Sequence, residues 1–469
     1  MRRIPVYFRG RAVAAYWILL ALVVFSLPSS AQEASEVERA LENLSKALQR
    51  DTSLDAATRE ALSDLVEAFK AERKDGVSVA PAGAPEVTRE DVAPAVDQDL
   101  ESRSPDDEGG RLAGLKDRLK FSGDFRLRHE SNINQDIRKD RHRERIRLRV
   151  GGTYQIADEL LFGARLVTGD PDDPQSANQT LGNVFDSFDV SLDRVYLTYR
   201  PDWSTGSWVT VGKFAYPLIR NPVFGQLIWD NDVQPEGIVF GHAFEDLGRL
   251  EELRFVVSEF LVDERTLADD ALALVLQGSG KIVIADAWTA DVALSYFLYS
   301  GIDKVGFLGF AGSDSAGNAL FDSTGNTIPD SFVSDFEIVN PMAAITWDGW
   351  KMPLTISGEY IKNFEANIAG DQGWAVGAAL GDTKDRGDWR IYYQYQIVEQ
   401  DAVFTPFVQD EFLFATNFKG HVFGAKYQLT QQIQLHARAL AAERLEPRIA
   451  IGETDQTQWK IRGDFLVRF

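Results

Sequence analysis

The chain runs to 469 residues, 44% hydrophobic and 26% charged, which is too apolar for a disordered chain and long enough for one large domain or two to three ordinary ones. It contains no cysteine, so disulfide scaffolds, thiolate zinc sites, iron–sulfur clusters and cysteine nucleophiles are excluded. With 49 Lys and Arg against 71 Asp and Glu, a net charge of −22, nucleic acid is not the expected partner. The 37 Gly, 29 Phe, 13 Tyr and 10 Trp point to many strands and tight turns, because aromatics favour pleated surfaces and glycine supplies turn conformations.

In chain order, Arg2, Arg3, Arg9 and Arg11 precede an apolar run from Ala12 to Leu27 and the small residues Ser29, Ser30 and Ala31. That order predicts a secretory signal peptide over 1–31, cleaved after Ala31. The rival, an uncleaved membrane anchor, is disfavoured because the run is shorter than the roughly 20 residues that span a bilayer as a helix. Residues 32–74 read as a periplasmic helical segment. Val37, Leu41, Leu44 and Leu48, then Leu62, Leu65 and Phe69, recur at helical spacing around the interruption Thr52-Ser53-Leu54-Asp55. A coiled coil between protomers and a helix packing on its own neighbour both fit so short a stripe. Residues 75–118 then form an acidic linker rich in Pro and Ala.

After Leu119 the hydrophobic period becomes two. Phe121, Gly123, Phe125 and Leu127 alternate with Ser122, Asp124, Arg126 and Arg128, and Ile146, Leu148 and Val150 alternate with Arg145, Arg147 and Arg149. Sixteen such segments are predicted, near 119–130, 143–156, 159–169, 189–200, 206–215, 237–244, 250–261, 270–277, 288–300, 333–347, 352–363, 373–381, 387–399, 417–429, 432–444 and 457–469. Their length suits a tilted strand crossing a bilayer better than a soluble sandwich strand. Short connections alternate with long ones at 131–142, 170–188, 216–236, 301–332 and 400–416, so all the long ones are expected outside the cell. The expected fold is an all-β membrane protein, an antiparallel transmembrane β-barrel over 119–469 preceded by the short α-helical segment. Lipid cannot hydrogen-bond a free strand edge, so the last strand must pair with the first. Phe465, Val467 and Phe469 are expected to close it.

Several stretches carry a family resemblance: Gly123 to Arg128, Arg143 to Arg149, Asp193 to Leu197, Val211 to Phe214 and Asp230 to Gly237. Over about 119–469 the chain resembles the bacterial putative porin family. The resemblance implies an outer-membrane pore, but it fixes no substrate and says nothing of the helical segment.

A passive pore needs a wide lumen and a field at its narrowest point. Arg126, Arg128, Arg145, Arg147, Arg149, Arg165, Arg194 and Lys213 are read as lumen-facing, a basic wall that would favour anions. The competing reading pairs them with Asp124, Glu144, Asp193 and the acids of an inward loop, leaving no net field. Tyr216 to Glu236, with Pro217, Pro222, Phe224, Trp229 and Pro235, is too apolar for an outside loop and is the candidate for folding inward, carrying Asp230, Asp232 and Glu236. Packing on the rim or on a neighbouring subunit remains its alternative. Tyr154, Tyr196, Tyr199, Trp208, Trp288, Trp347, Trp350, Trp389 and Trp459 fit interfacial girdles.

Gly169 to Pro174 lacks calcium-loop spacing, and Gly306 to Gly317 lacks the ending of a phosphate loop. No motif pairs a serine with a histidine, so no enzyme activity, metal or cofactor is expected. The leading expectation is passive diffusion of small hydrophilic solutes or ions, with outer-membrane lipid as the surrounding partner and a homotrimer as the assembly. The alternative is a structural anchor in which residues 32–74 bind a periplasmic partner.

Overall fold

A computed structural model describes Lys46 and residues 118–469 apart from 137, 172, 174, 183, 185, 186, 265–269, 303–316, 322–330, 410, 411, 413, 450 and 451. The expected signal peptide, helical segment and linker lie outside the described residues, Lys46 and Arg118 excepted. The chain divides into a unit of Pro94–Tyr199 with Trp208–Phe469 and a second of Met1–Ala93 with Arg200–Ser207. In the latter, Ser204 N–H donates to Pro201 O at 3.2 Å and the Ser204 and Ser207 hydroxyls share a hydrogen bond of 2.8 Å.

The alternating segments become β1 (Leu119–Ile133), β2 (Arg141–Ala157), β3 (Leu160–Thr168), β4 (Val190–Tyr199), β5 (Ser207–Lys213), β6 (Glu236–Leu247), β7 (Leu250–Asp263) and β8 (Ala271–Ala285). They continue as β9 (Trp288–Ser300), β10 (Glu337–Trp347), β11 (Leu354–Asn363), β12 (Gln372–Gly381), β13 (Trp389–Val398), β14 (Phe418–Gln428), β15 (Ile433–Arg444) and β16 (Gln458–Arg468). With the two-residue stretch Gln179–Thr180 they make one 17-stranded sheet. Each strand pairs antiparallel with the next along the chain, and β5 neighbours β6 in the sheet order. β8 runs on to Ala285 where the sequence suggested an end near 277. Gly278 and Gly280 dilute the apolar alternation there, yet they pair with Leu294 and Val292 of β9.

Closure comes from β1 and β16, in a register from Asp124↔Arg468 to Ile133↔Trp459. Gly123 N–H donates to Phe469 O at 2.7 Å and Phe469 N–H to Gly123 O at 3.0 Å. The result is a closed antiparallel barrel with no open edge for hydrocarbon to strand. Phe465 and Phe469 stand exposed on its outer face with Phe125, Leu127, Leu148, Val150 and Leu166. The alternate positions are buried inside: Asp124, Arg128, Arg145, Arg147 and Arg149.

One end carries short turns at 158–159, 248–249, 286–287 and 429–432, and the other carries the long connections 169–189, 214–235, 301–336 and 399–417. Near the short turns, Trp288 stacks on Trp347 at 6.0 Å and Trp389 lies 4.5 Å from Tyr427 on the outer face, and Trp350 is exposed in the connection that follows β10. These fit an interfacial belt. Tyr196 and Trp208 do not belong to it. Both are buried inward, where each ring covers a glycine on an adjacent strand, Gly163 of β3 and Gly241 of β6 respectively.

At the long-loop end, Arg444 bonds Asp136 at 2.9 Å and lies 3.4 Å from Glu453, Thr454 Oγ1 donates to Asp136 at 2.6 Å, and Arg448 bonds Glu453 at 2.7 Å. Burial pushes both carboxyls up, but these hydrogen bonds and guanidinium groups outweigh it and hold Asp136 and Glu453 below the usual carboxylate range.

Two predictions arise from the barrel's closure and this tie. A Cβ at Gly123 would meet the Phe469 ring at 2.5 Å and Arg149 O at 2.7 Å, so Gly123→Val should sharply lower the yield of heat-modifiable, compact barrel on unboiled gels. Because the folded pKa values of Asp136 and Glu453 are depressed, their tie is complete at neutral pH and is lost as pH falls below about 4. A spin label on Ile449→Cys, introduced into a chain with no native cysteine, should become mobile over that acid interval and stay immobile above it.

Candidate functional site

Period-two alternation puts Asp124, Arg126, Arg128 and Glu130 on the inward face of β1 and Arg143, Arg145, Arg147 and Arg149 on that of β2. The register sets Arg126 against Arg147 and Arg128 against Arg145. Like charges directly across a ladder repel, and the interior answers with acids from both sides. Asp124 accepts from Arg147 at 2.7 Å and Arg149 Nε at 2.6 Å. Arg128 grips Asp464 of β16 through both oxygens at 2.6 and 3.0 Å, a paired geometry that fixes orientation as well as charge. Glu130 accepts from Arg143 and from Arg462 of β16, the latter at 2.7 Å, with Arg145 at 3.8 Å. Arg438 of β15 reaches Asp464 at 3.4 Å.

The remaining expected wall residues fall as follows. Arg126 donates to Asn178 Oδ1 at 2.5 Å, Arg145 to Ser176 Oγ at 2.8 Å and Arg194 Nε to Gln234 Oε1 at 2.8 Å. Arg165 pairs with Asp193 at 2.6 Å. Lys213 is a correction: it is opposite Val195, on the face where Val195 and Val211 are exposed, and bonds Glu236 Oε1 at 2.7 Å. On β5 the inward positions are those of Trp208 and Thr210, so Lys213 falls on the outer set. Its partner Glu236 is exposed at the start of β6 and is not part of an inward loop. Glu144 likewise turns outward, to His129 at 2.6 Å, and neutralises no wall arginine.

The segment 214–235 lies inside the barrel. Pro217 O accepts from Arg254 of β7 at 2.8 Å, the Ile219 backbone both donates to and accepts from Gln277 of β8, Ser357 of β11 donates to Asn221, and Pro222 O accepts from Arg390 of β13. Asp232 sits 3.5 Å from Arg147. Burial raises its carboxyl and Arg147, Arg126, Arg149 and Arg165 lower it, with a net shift downward. Asp230 is buried and accepts the Asp232 N–H at 2.6 Å.

The described residues of a second segment, 399–417, also pack inward, although 400–416 reads as an outside loop by parity. Asp230 N–H donates to Phe407 O at 2.7 Å, and Gln175 Nε2 donates to Thr405 O, Pro406 O and Val408 O. Trp229 stacks on Tyr216 at 4.9 Å and meets Phe407 at 4.7 Å and Phe260 of β7 at 5.5 Å. Phe404 meets Tyr299 of β9 at 4.9 Å and Phe336 at 5.5 Å. Val403, Phe404, Phe407 and Val408 carry the apolar signature that marks 214–235, and that signature was the available signal.

The interior is therefore two-sided. β1 to β4, β15 and β16 present cations, the aromatic cluster leans on β6 to β9, and β9 to β11 carry polar groups such as Ser295, Asn340 and Ser357 together with the buried carboxyl of Glu359. Between the tip Asn221–Gln226 and the walls of β13 to β16 lies a cavity of about 1130 Å³, bordered by Arg390, Tyr392, Lys426, His436, Arg438 and Arg468. Among the described residues no group of His, Asp or Glu is placed to hold a metal.

A closed barrel, apolar outside, charged within and crossed by two inward segments, is an outer-membrane barrel of the porin type. The chain belongs to the putative porin family, whose family model matches residues 132–257 and 333–459. Pseudomonas putida OprB, in its high-pH structure, aligns with a TM-score of 0.50 and 12% identity over 77% of this chain and 96% of that one, a likeness of fold. An anion-selective porin from Comamonas acidovorans aligns at 0.44 and 13% over 75% and 99%, and Salmonella typhi OmpF, in complex with daunomycin, at 0.44 and 12% over 75% and 97%. No curated protein matches the chain. The family and fold place the protein in the bacterial outer membrane.

Trp229 is 1% exposed at the junction of both inward segments. Trp229→Ala should remove about 3–5 kcal/mol of packing and free 214–235. The expected readout is faster protease cleavage within that segment while the barrel keeps its compact gel mobility.

Proposed function

We propose that this porin is a passive diffusion channel for small hydrophilic solutes and that it favours anions. The observation that carries the preference is the imbalance on the inward faces of β1 to β4, β15 and β16. Arg126, Arg128, Arg143, Arg145, Arg147, Arg149, Arg165, Arg194, Arg438, Lys460 and Arg462 are answered there by Asp124, Glu130, Asp193 and Asp464, with Asp232 added from the inward segment. Pairing cancels part of that charge, and the surplus leaves a positive potential between low-dielectric walls, where a field is screened less than in bulk water. Ions crossing such a lumen feel a lower barrier when they are negative.

Reversal potential in a planar bilayer under a salt gradient tests this. Wild-type protein should open in ohmic steps with anion preference. Arg126→Gln with Arg145→Gln should lower the anion-to-cation permeability ratio about two-fold, since glutamine can keep a hydrogen bond to Asn178 or Ser176 while removing the charge. An unchanged ratio overturns the basic-wall assignment, and folded barrels that never open overturn the channel reading.

A further inference from the structure

The outer face of β1 and β2 changes character toward the long-loop end. Phe121, Phe125 and Leu127 of β1 and Leu148 and Val150 of β2 are exposed apolar side chains. Further along the same face stand His129 and Ser131 of β1, with Glu144 opposite His129 and His142 opposite Ser131 on β2. In outer-membrane barrels the long-loop end meets the outer leaflet. The boundary between hydrocarbon and headgroups, where acyl chains are esterified, is where an outward face turns from apolar to polar.

The four side chains form one directed chain of hydrogen bonds. His129 Nδ1 lies 2.6 Å from Glu144 Oε1, His129 Nε2 lies 3.0 Å from Ser131 Oγ, and His142 Nδ1 lies 2.8 Å from the same oxygen. An ionised carboxylate only accepts, so a neutral His129 carries its proton on Nδ1 and leaves Nε2 as an acceptor. The Ser131 hydroxyl then donates to Nε2, and its oxygen accepts from His142. Serine, imidazole and carboxylate in that order, each link within about 2.6–3.2 Å, are what an activated oxygen nucleophile requires: a base to take the hydroxyl proton and an anion to hold the base in the right tautomer. No sequence motif marks the set, because the strand period of two brings His129 beside Ser131 and the register of β1 with β2 brings Glu144.

A groove of about 360 Å³ opens beside His129 and Glu144 and continues over Leu127, Leu435, Ala437, Gly463 and Phe465. Gly463 is opposite His129, Ala437 is opposite Gly463, and Phe465 is opposite Leu127. A Cβ at Gly463 would meet nothing within 4 Å. The floor is thus low next to the imidazole, and apolar side chains lead from it toward the bilayer interior, a course suited to an acyl chain.

We propose that Ser131, His129 and Glu144 hydrolyse acyl esters of membrane lipids, an activity of the lipid-facing surface that goes beyond the channel reading and does not depend on it. Ser131 Oγ bonds to the ester carbonyl carbon while its proton passes to His129 Nε2, and the Nδ1–H of His142 turns from Oγ to the carbonyl oxygen that gains charge. The bond from that carbon to the alcohol oxygen breaks, His129 returns the proton to the departing alcohol, and the acyl group stays on Ser131. Water then gives a proton to His129 and its oxygen to the acyl carbon, the bond to Ser131 Oγ breaks with return of the proton, and a fatty acid leaves. Glu144 touches neither reactant and acts as a positioning residue. Ser131 is 7% exposed, set between two exposed imidazoles, which shield the hydroxyl from bulk water until an ester parts them.

The test uses the full-length barrel in mixed micelles, with dioleoylphosphatidylethanolamine for fatty-acid release, p-nitrophenyl palmitate and acetate for chain dependence, and a fluorophosphonate probe for the nucleophile. Fatty acid should be released, and the probe's adduct should map by mass spectrometry to Ser131. Ser131→Ala and His129→Gln should each lower release about a hundredfold or more. Glu144→Gln should lower kcat about tenfold with KM unchanged, and Glu144→Asp should recover part of the rate, a pattern that a purely structural bond does not give. Gly463→Leu, which fills the groove, should depress palmitate turnover about tenfold more than acetate turnover. Compact barrels that give neither adduct nor fatty acid overturn the proposal, and so does release that survives in Ser131→Ala. Should that variant fail to form compact barrels, the mapped adduct on the wild type decides. A wild-type rate in Glu144→Gln overturns the positioning role, and equal loss on the two esters in Gly463→Leu overturns the groove.

Discussion

The rest of the structure depends on the seam between β1 and β16. Hydrocarbon offers no partner to a backbone N–H or C=O, so a sheet in a bilayer exists only when its two edges satisfy each other. Here the two edges pair over ten residues of register, reinforced by the reciprocal bonds between Gly123 and Phe469. Closure then dictates the side chains. Every second residue faces lipid and must be apolar, and the residues between are freed from that demand.

What fills the freed positions reinforces the seam from within. Arg128 of β1 with Asp464 of β16, and Glu130 of β1 with Arg462 of β16, are bonds between residues more than 300 positions apart in the chain. Both pairs are almost wholly shielded from water. A buried charge without a partner is strongly unfavourable, whereas a well-paired one is tolerated, so these ions act as register marks: a slip of the seam by one residue would strand each of them. Across the lumen, the aromatic cluster around Trp229 and Phe404 fastens the two inward segments to β6 to β9. The segment 214–235 is thus clamped between ion pairs on one side and ring packing on the other.

Much of this is legible in the chain. Strand positions follow from the period-two pattern because that pattern is set locally by lipid on one side and the lumen on the other. The inward course of 214–235 is legible from Phe224, Trp229 and its prolines, which water would not tolerate together. The parity argument that puts 400–416 outside is blind to the same feature in Phe404 and Phe407, because parity fixes which end a connection starts from and not where it folds. Lys213 and Glu236 depart from the expected inward face for a local reason. Gly212 and Gly237, at φ +114° and +143°, flank the inward segment and carry no side chain to mark a face. Asp124, Asp193 and Asp232 are legible as arginine partners, but the partners that β16 supplies are not, since whether Arg128 meets Asp464 depends on the closing register and not on any neighbouring residue.

The inward course of 214–235 also decides what the outside world can recognise. A connection that begins at the long-loop end would ordinarily be surface, open to large molecules that approach the barrel from outside. This one is withdrawn beneath the rim, with Leu218, Leu227, Trp229 and Val233 almost wholly buried. Whatever binds the rim therefore meets the other connections, and the segment that shapes the interior stays out of its reach.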